Sequence, residues 1–163
     1  MINSGDVYEA VRRGYNELEL ASNSEISDYF SEIDPGSIGG HVSHIKGILF
    51  EQEYVEQLAT QGIHAQIFEA TNHPATDIAI FDDGGDVINE LQLKATESAS
   101  YIHSTLEEYP DIEIVATTEV ASELGSDMVI DSGIEEAVLE EAVLDVVNPV
   151  SPISIIGWFF GIF

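Results

Sequence analysis

The sequence predicts an α/β domain, with a central mixed β-sheet flanked by helices and a helical extension at the N-terminus. Three observations predict it. Apolar residues recur at helical spacing as far as position 61. Beyond Gly62 the period becomes strand-like, with three β-rich runs in close succession. The remainder alternates helix-like and strand-like segments, the order that α/β sheets produce. At 163 residues the chain is one domain with some length to spare.

Each element has its own signal. Residues 5–33 read as two helices, with Val7, Val11, Tyr15 and Leu18 at helical spacing and Asp6 placed as an N-cap. Asp34-Pro35-Gly36-Ser37 has turn chemistry and breaks the chain. Gly39-Gly40 leads into a helix over 42–61, whose apolar stripe includes Ile45, Leu49 and Leu58, with Gly62 in the C′ position that favours glycine. Strands are predicted over 65–70, 76–81 and 87–95, the last two joined by the turn Asp82-Asp83-Gly84-Gly85-Asp86. A helix over 97–108, a strand over 112–117, a short helix over 119–124, a strand over 128–131 and an acidic amphipathic helix over 134–146 complete the order. The expected organisation is a helical extension over 1–38, an α/β core over 39–148 and an apolar tail over 149–163.

Composition sets limits on function. The chain carries 31 Asp plus Glu against 4 Lys plus Arg, a formal net charge of -27, yet 44% of it is hydrophobic. Acidic disordered chains lack apolar residues, so this is a folded domain with an acidic surface. Scarcity of lysine favours adaptation to a salty cytoplasm, where repulsion is screened within roughly 3 Å at about 1 M salt. A DNA-mimicking inhibitor and an acidic protein with a cationic partner are the competing explanations. The absence of cysteine excludes disulfides, thiolate metal sites and a cysteine nucleophile. No basic, apolar N-terminal run marks a signal peptide, so a cytoplasmic protein is expected.

The tail is different in kind. From Val150 to Phe163 nearly every residue is apolar, but the run is shorter than the roughly 20 residues that span a bilayer. Gly157 and Gly161 bracket Trp158, Phe159 and Phe160 in the small-xxx-small spacing of packed helices. So much aromatic surface implies contact with another subunit, a partner protein or a membrane surface.

The residues with a chemical pattern lie in the predicted strands. In the strand 87–95, Glu90, Gln92 and Lys94 share one face, opposite Leu91 and Leu93. Asp77, on the preceding strand, lies on the face opposite Ile78 and Ile80. Pairing through the Asp-Gly turn brings Asp77 beside that row. Carboxylates and an amide carbonyl are hard oxygen ligands suited to Mg²⁺. A lysine two positions along orients a water and stabilises an anionic transition state. Phosphodiester hydrolysis needs that set of groups. The competing explanation is a solvated strand face on which Glu90 and Lys94 form an ion pair. Lys94 is one of only two lysines, and the other, Lys46, precedes the helix segment Gly47-Ile48-Leu49-Phe50-Glu51.

That segment, then Asp77, then Gln92-Leu93-Lys94, resembles the PD-(D/E)XK nuclease superfamily. The likeness runs from Gly47 to Thr96 and is greatest to the branch typified by Mrr restriction endonucleases, with G-x-x-F-E on a helix and Q-x-K in place of (D/E)-x-K. It departs from the pattern in having Thr76 directly before Asp77, with Pro74 three positions ahead. The resemblance implies a restriction-endonuclease-like core and a Mg²⁺- or Mn²⁺-dependent nuclease acting on DNA. It implies Asp77 as principal metal ligand, Gln92 as second ligand, Glu51 as the helix carboxylate near the metal and Lys94 as catalytic lysine. Glu90 is an additional acid on the same face. A nuclease-like module without catalysis, serving assembly or membrane association, is the alternative reading.

Other chemical-looking residues have plain roles. His41 and His44 lack a third metal ligand at clear spacing, and His64, His73 and His103 are isolated. Arg12-Arg13 is the only basic pair, a helix-surface feature or a pair of phosphate contacts.

Overall fold

The computed structural model describes residues 2–68 and 75–148. Within them the chain forms two compact units, one holding residues up to Ile45 and those from Glu140 onward, the other Lys46–Leu139. The tail beyond 148, His73 and Pro74 lie outside the described residues.

The first unit is helical. Helix α1, Ser4–Gly14, begins in a capping box: Asn3 Oδ1 accepts from the Asp6 N–H at 3.0 Å, and Asp6 Oδ2 accepts from the Asn3 N–H at 2.9 Å. Asn3 is therefore the N-cap, and Asp6 is the third residue of the helix rather than the cap expected from sequence. Helix α2, Asn23–Ser31, repeats the device with Ser22 and Glu25. Val7, Val11, Tyr15, Leu18, Ile26 and Phe30 are buried among these elements. The Arg12 guanidinium is spent here, donating to the Ala21 carbonyl at 2.8 Å and to Asn23 Oδ1.

Helix α3, Ile38–Thr60, starts four residues earlier than its apolar stripe predicts and runs through Gly39-Gly40. A glycine costs about 1 kcal/mol in a helix interior, too little to stop one that buries Val42, Ile45, Leu49, Phe50, Tyr54 and Leu58. It ends at Thr60, two residues before Gly62, whose φ of 78° is the left-handed conformation that closes helix C-termini.

The second unit contains a five-stranded mixed sheet in the order β1-β2-β3-β4-β5. Strands β1 (His64–Ile67), β2 (Ile78–Phe81) and β3 (Val87–Lys94) form an antiparallel meander. Strands β4 (Ile114–Ala116) and β5 (Val129–Asp131) then add in parallel, each after a helix, as parallel pairs require. The helices are α4, Ala99–Glu108, and α5, Thr118–Leu124. Ile102, Ile114, Ala116, Val120 and Ala121 form one cluster that seats both on the sheet. Helix α6, Glu136–Val147, follows β5. The α/β class and the mixed sheet flanked by helices are as expected.

Strand β3 changes character along its length. Val87 to Glu90 are exposed, whereas Leu91, Gln92 and Leu93 are buried. Only the last three residues pair with β4, through Gln92↔Ile114, Leu93↔Val115 and Lys94↔Ala116. The segment Gln92-Leu93-Lys94 thus pairs with β4 on one side, just past Leu91, the last β3 residue in register with β2.

Candidate functional site

Asp77 sits one residue before β2, where the strand enters its pairing with β3. The register there is Ile78↔Leu91, and one further step puts Asp77 opposite Gln92. Two hydrogen bonds fasten it. Its N–H donates to the Leu91 carbonyl at 2.8 Å, and its Oδ2 accepts from the Leu93 N–H at 2.7 Å. The carboxylate therefore takes the place of a backbone acceptor just ahead of the start of β2. Asp77 is held to β3 on both sides of Gln92.

Burial pushes the Asp77 carboxyl above its ordinary range, against the lowering pull of the Leu93 N–H and of the Lys94 charge. Lys94 is thus within electrostatic reach of Asp77. Gln92 is 5% exposed, and its Oε1 has no hydrogen-bond partner. A buried amide oxygen left without a donor costs about 1–3 kcal/mol. Such an oxygen, next in the fold to a desolvated carboxylate, suits a hard cation.

Lys94 does not form the ion pair with Glu90 that a solvated strand face would give. Its Nζ donates to the Tyr101 hydroxyl at 3.2 Å and lies 5.1 Å from the centre of that ring. Tyr101, on α4, is 50% exposed. Nothing in the sequence marks it, since a lone aromatic on a helix has no spacing signal.

The other expected site residues are distributed as follows. Glu90 shares the face of Gln92 by alternation but stands in the exposed half of β3. Glu51 is half-buried on α3 and is engaged in an interaction there. Among the described residues no three His, Cys, Asp or Glu side chains gather closely enough to hold an ion. Asp77, Gln92 and Lys94 are brought together, and Glu51 and Glu90 do not complete a carboxylate cluster with Asp77.

Lys46 has a different use. It is buried on α3 and forms an ion pair with Glu136, which is 2% exposed at the first turn of α6. Glu119, on α5, caps the same turn, accepting from the N–H groups of Glu136 at 2.7 Å and Ala137 at 3.0 Å. Burial raises the Glu119 carboxyl, but these donors outweigh it and hold the group below its ordinary range.

The histidines are locally engaged. His41 Nδ1 meets the Tyr15 hydroxyl at 2.5 Å, and His44 Nε2 meets the Gly14 carbonyl at 3.2 Å. His64 packs edge-on against Phe81. These two line a recess of about 360 Å³ with Gln66, Asp82, Asp83 and Gly85, at the opposite end of the β1–β2 pair from Asp77.

No described helix is long and apolar enough to cross a membrane. The chain matches no family model, and no curated protein or solved structure is significantly similar to it.

Proposed function

We propose that the chain is a metal-dependent phosphodiesterase of the PD-(D/E)XK type, acting on nucleic acid, with Asp77, Gln92 and Lys94 as its working residues. The observation that carries the reading is the buried, partnerless Oε1 of Gln92 beside the desolvated carboxylate of Asp77. Asp77 and Gln92 would hold a Mg²⁺ or Mn²⁺ ion, with Glu51 of α3 as the further carboxylate implied by the motif. Such an ion, when bound, neutralises charge on the phosphate and lowers the pKa of water.

The chain's own groups do the rest. Asp77 supplies one anionic oxygen while its other oxygen stays on the Leu93 N–H, so its orientation is set before any ligand arrives. Gln92 adds a neutral oxygen without a second charge, which limits repulsion in a buried site. Lys94 orients the attacking water and balances negative charge developing on the phosphoryl oxygens. The Tyr101 ring and hydroxyl keep its ammonium in place.

A second reading rests on the Asp77 to Leu93 hydrogen bond: a carboxylate that terminates a strand, in a nuclease-like module without catalysis. Cleavage assays separate the two. Plasmid and oligonucleotide are incubated in molar KCl with Mg²⁺ or Mn²⁺ and the wild-type, Asp77→Asn or Lys94→Ala protein. Losses of about 10²–10³ are expected for each variant. Equal background cleavage by all three would leave only the non-catalytic module.

A further inference from the structure

We infer that this site takes single-stranded nucleic acid and that Tyr101 stacks one of its bases. The inference rests on the phosphodiesterase reading for the position of the phosphate and adds the class of substrate. It begins from the inventory of cations. The chain has four, and the described residues include all of them. Lys46 is buried against Glu136. Arg12 is committed to the Ala21 carbonyl, Asn23 and Glu9. Arg13 is engaged in an interaction of its own. Lys94, hydrogen-bonded to the neutral Tyr101 and within electrostatic reach of Asp77, is left to meet a phosphate.

A duplex is gripped by neutralising many phosphates along two rigid strands, and the affinity scales with their number. One available lysine on a chain of net charge -27 supplies almost none of that grip. Aromatic stacking needs no charge and accepts any base. It also needs an open base face, which a duplex covers with its neighbouring pairs and a single strand exposes.

Tyr101 fits this use. Half of its surface is open to solvent, and the ammonium that would contact the phosphate lies over its ring, 5.1 Å from the centre. A phosphate at Lys94 and a base on Tyr101 belong to the same or an adjacent nucleotide. The cation near the ring also polarises it, and its own position is kept by the hydroxyl.

The test measures binding without turnover. A short labelled oligonucleotide and its blunt duplex are titrated by anisotropy, with Ca²⁺ in place of Mg²⁺, against wild type, Tyr101→Phe and Tyr101→Leu. Wild type is expected to prefer the single strand by about tenfold or more. Tyr101→Leu is expected to lose roughly 5- to 150-fold on the single strand, the range of one lost base stack, and nothing on the duplex. Tyr101→Phe keeps the ring and loses only the hydroxyl's bond to Lys94, so it is expected to bind the single strand far more tightly than Tyr101→Leu does. Circular dichroism confirms that each variant is folded, as an exposed helical position allows. Equal affinity for the duplex, wild-type affinity in Tyr101→Leu, or no binding to the single strand would each overturn the inference. Ring-dependent binding of the single strand with no cleavage under Mg²⁺ or Mn²⁺ would instead remove the phosphodiesterase reading and leave the stacking intact. Duplex cleavage unaffected at Tyr101 would do the reverse.

Discussion

Burial raises the Asp77 carboxyl, so the folded surroundings disfavour its charged form. For a carboxyl raised on folding, the favourable contribution is complete below the ordinary value of 3.8 and is lost as pH rises through the folded value. Replacing Asp77 by Asn removes the charge and keeps an oxygen that can accept from the Leu93 N–H. At pH 7 the Asp77→Asn protein is therefore expected to melt at or above the wild-type temperature, and the difference is expected to vanish toward pH 4. Cleavage is expected to be lost in the same variant. A lower Tm at neutral pH would show that the carboxylate serves the strand end rather than chemistry. Stability given up at a charged, desolvated position is the usual signature of a functional site. The Gln92 amide points the same way, since a leucine there would leave no orphaned oxygen.

At the scale of elements, much of the order of helices and strands was legible. Periodicity locates α3, the meander and the alternating elements after it, because apolar residues must face a core whatever the neighbours are. Ends were harder to place. Helix α3 overrides Gly39-Gly40 because the helical penalty of glycine is small beside the burial that follows. The cap of α1 falls on Asn3, not Asp6, because both are capping types and the reciprocal bonding uses both. The alternation in β3 put Gln92 and Lys94 on one face, but not which part of the strand is covered. That depends on β4, which arrives more than twenty residues later. The role of Lys46 has no local signal at all, since its partner Glu136 lies ninety positions away.

That ion pair invites a test of its own. Truncating one partner leaves a buried charge uncompensated, at about 3–5 kcal/mol, whereas an apolar pair of similar volume is near neutral. Lys46→Met alone is expected to fall by that amount in denaturant titrations, and Lys46→Met with Glu136→Leu to regain most of it. A double variant as unstable as the single would place the cost in packing instead. The Glu119 cap gives a pH signature of the opposite sign to Asp77. Its folded value is lowered, so its contribution is present above the ordinary 4.5 and disappears as pH falls through the folded value. Glu119→Gln is expected to cost about 0.5–2 kcal/mol at pH 7, as lost helix caps do, and progressively less below pH 4.5.

On the scale of the whole molecule, a net charge of -27 sets how the chain responds to salt. Like charges on one surface repel, and the repulsion is relieved on unfolding, so low ionic strength works against the folded state. Screening shortens the range of that repulsion from about 10 Å at 0.1 M to about 3 Å at 1 M. Stability is expected to rise over this range, with Tm climbing about 2–4 °C for each kcal/mol of repulsion relieved. Exclusion of salt from the surface also stabilises proteins, and sulfate is stronger in this than chloride. Melting curves in KCl and potassium sulfate at equal ionic strength distinguish the causes. Coincident curves are expected if screening dominates; a large excess for sulfate, or a flat response to KCl, would remove the adaptation to salt. The same field acts on a nucleic-acid ligand. Attraction to one lysine weakens with salt only slightly, with a slope near −0.7 for one phosphate on a single strand. Repulsion from the remaining surface weakens as well and acts over the whole strand. Binding of the single strand is therefore expected to strengthen, not weaken, between 0.1 and 1 M KCl. A steep loss of affinity over that range would mean a cationic track that Arg12, Lys46 and their partners do not supply.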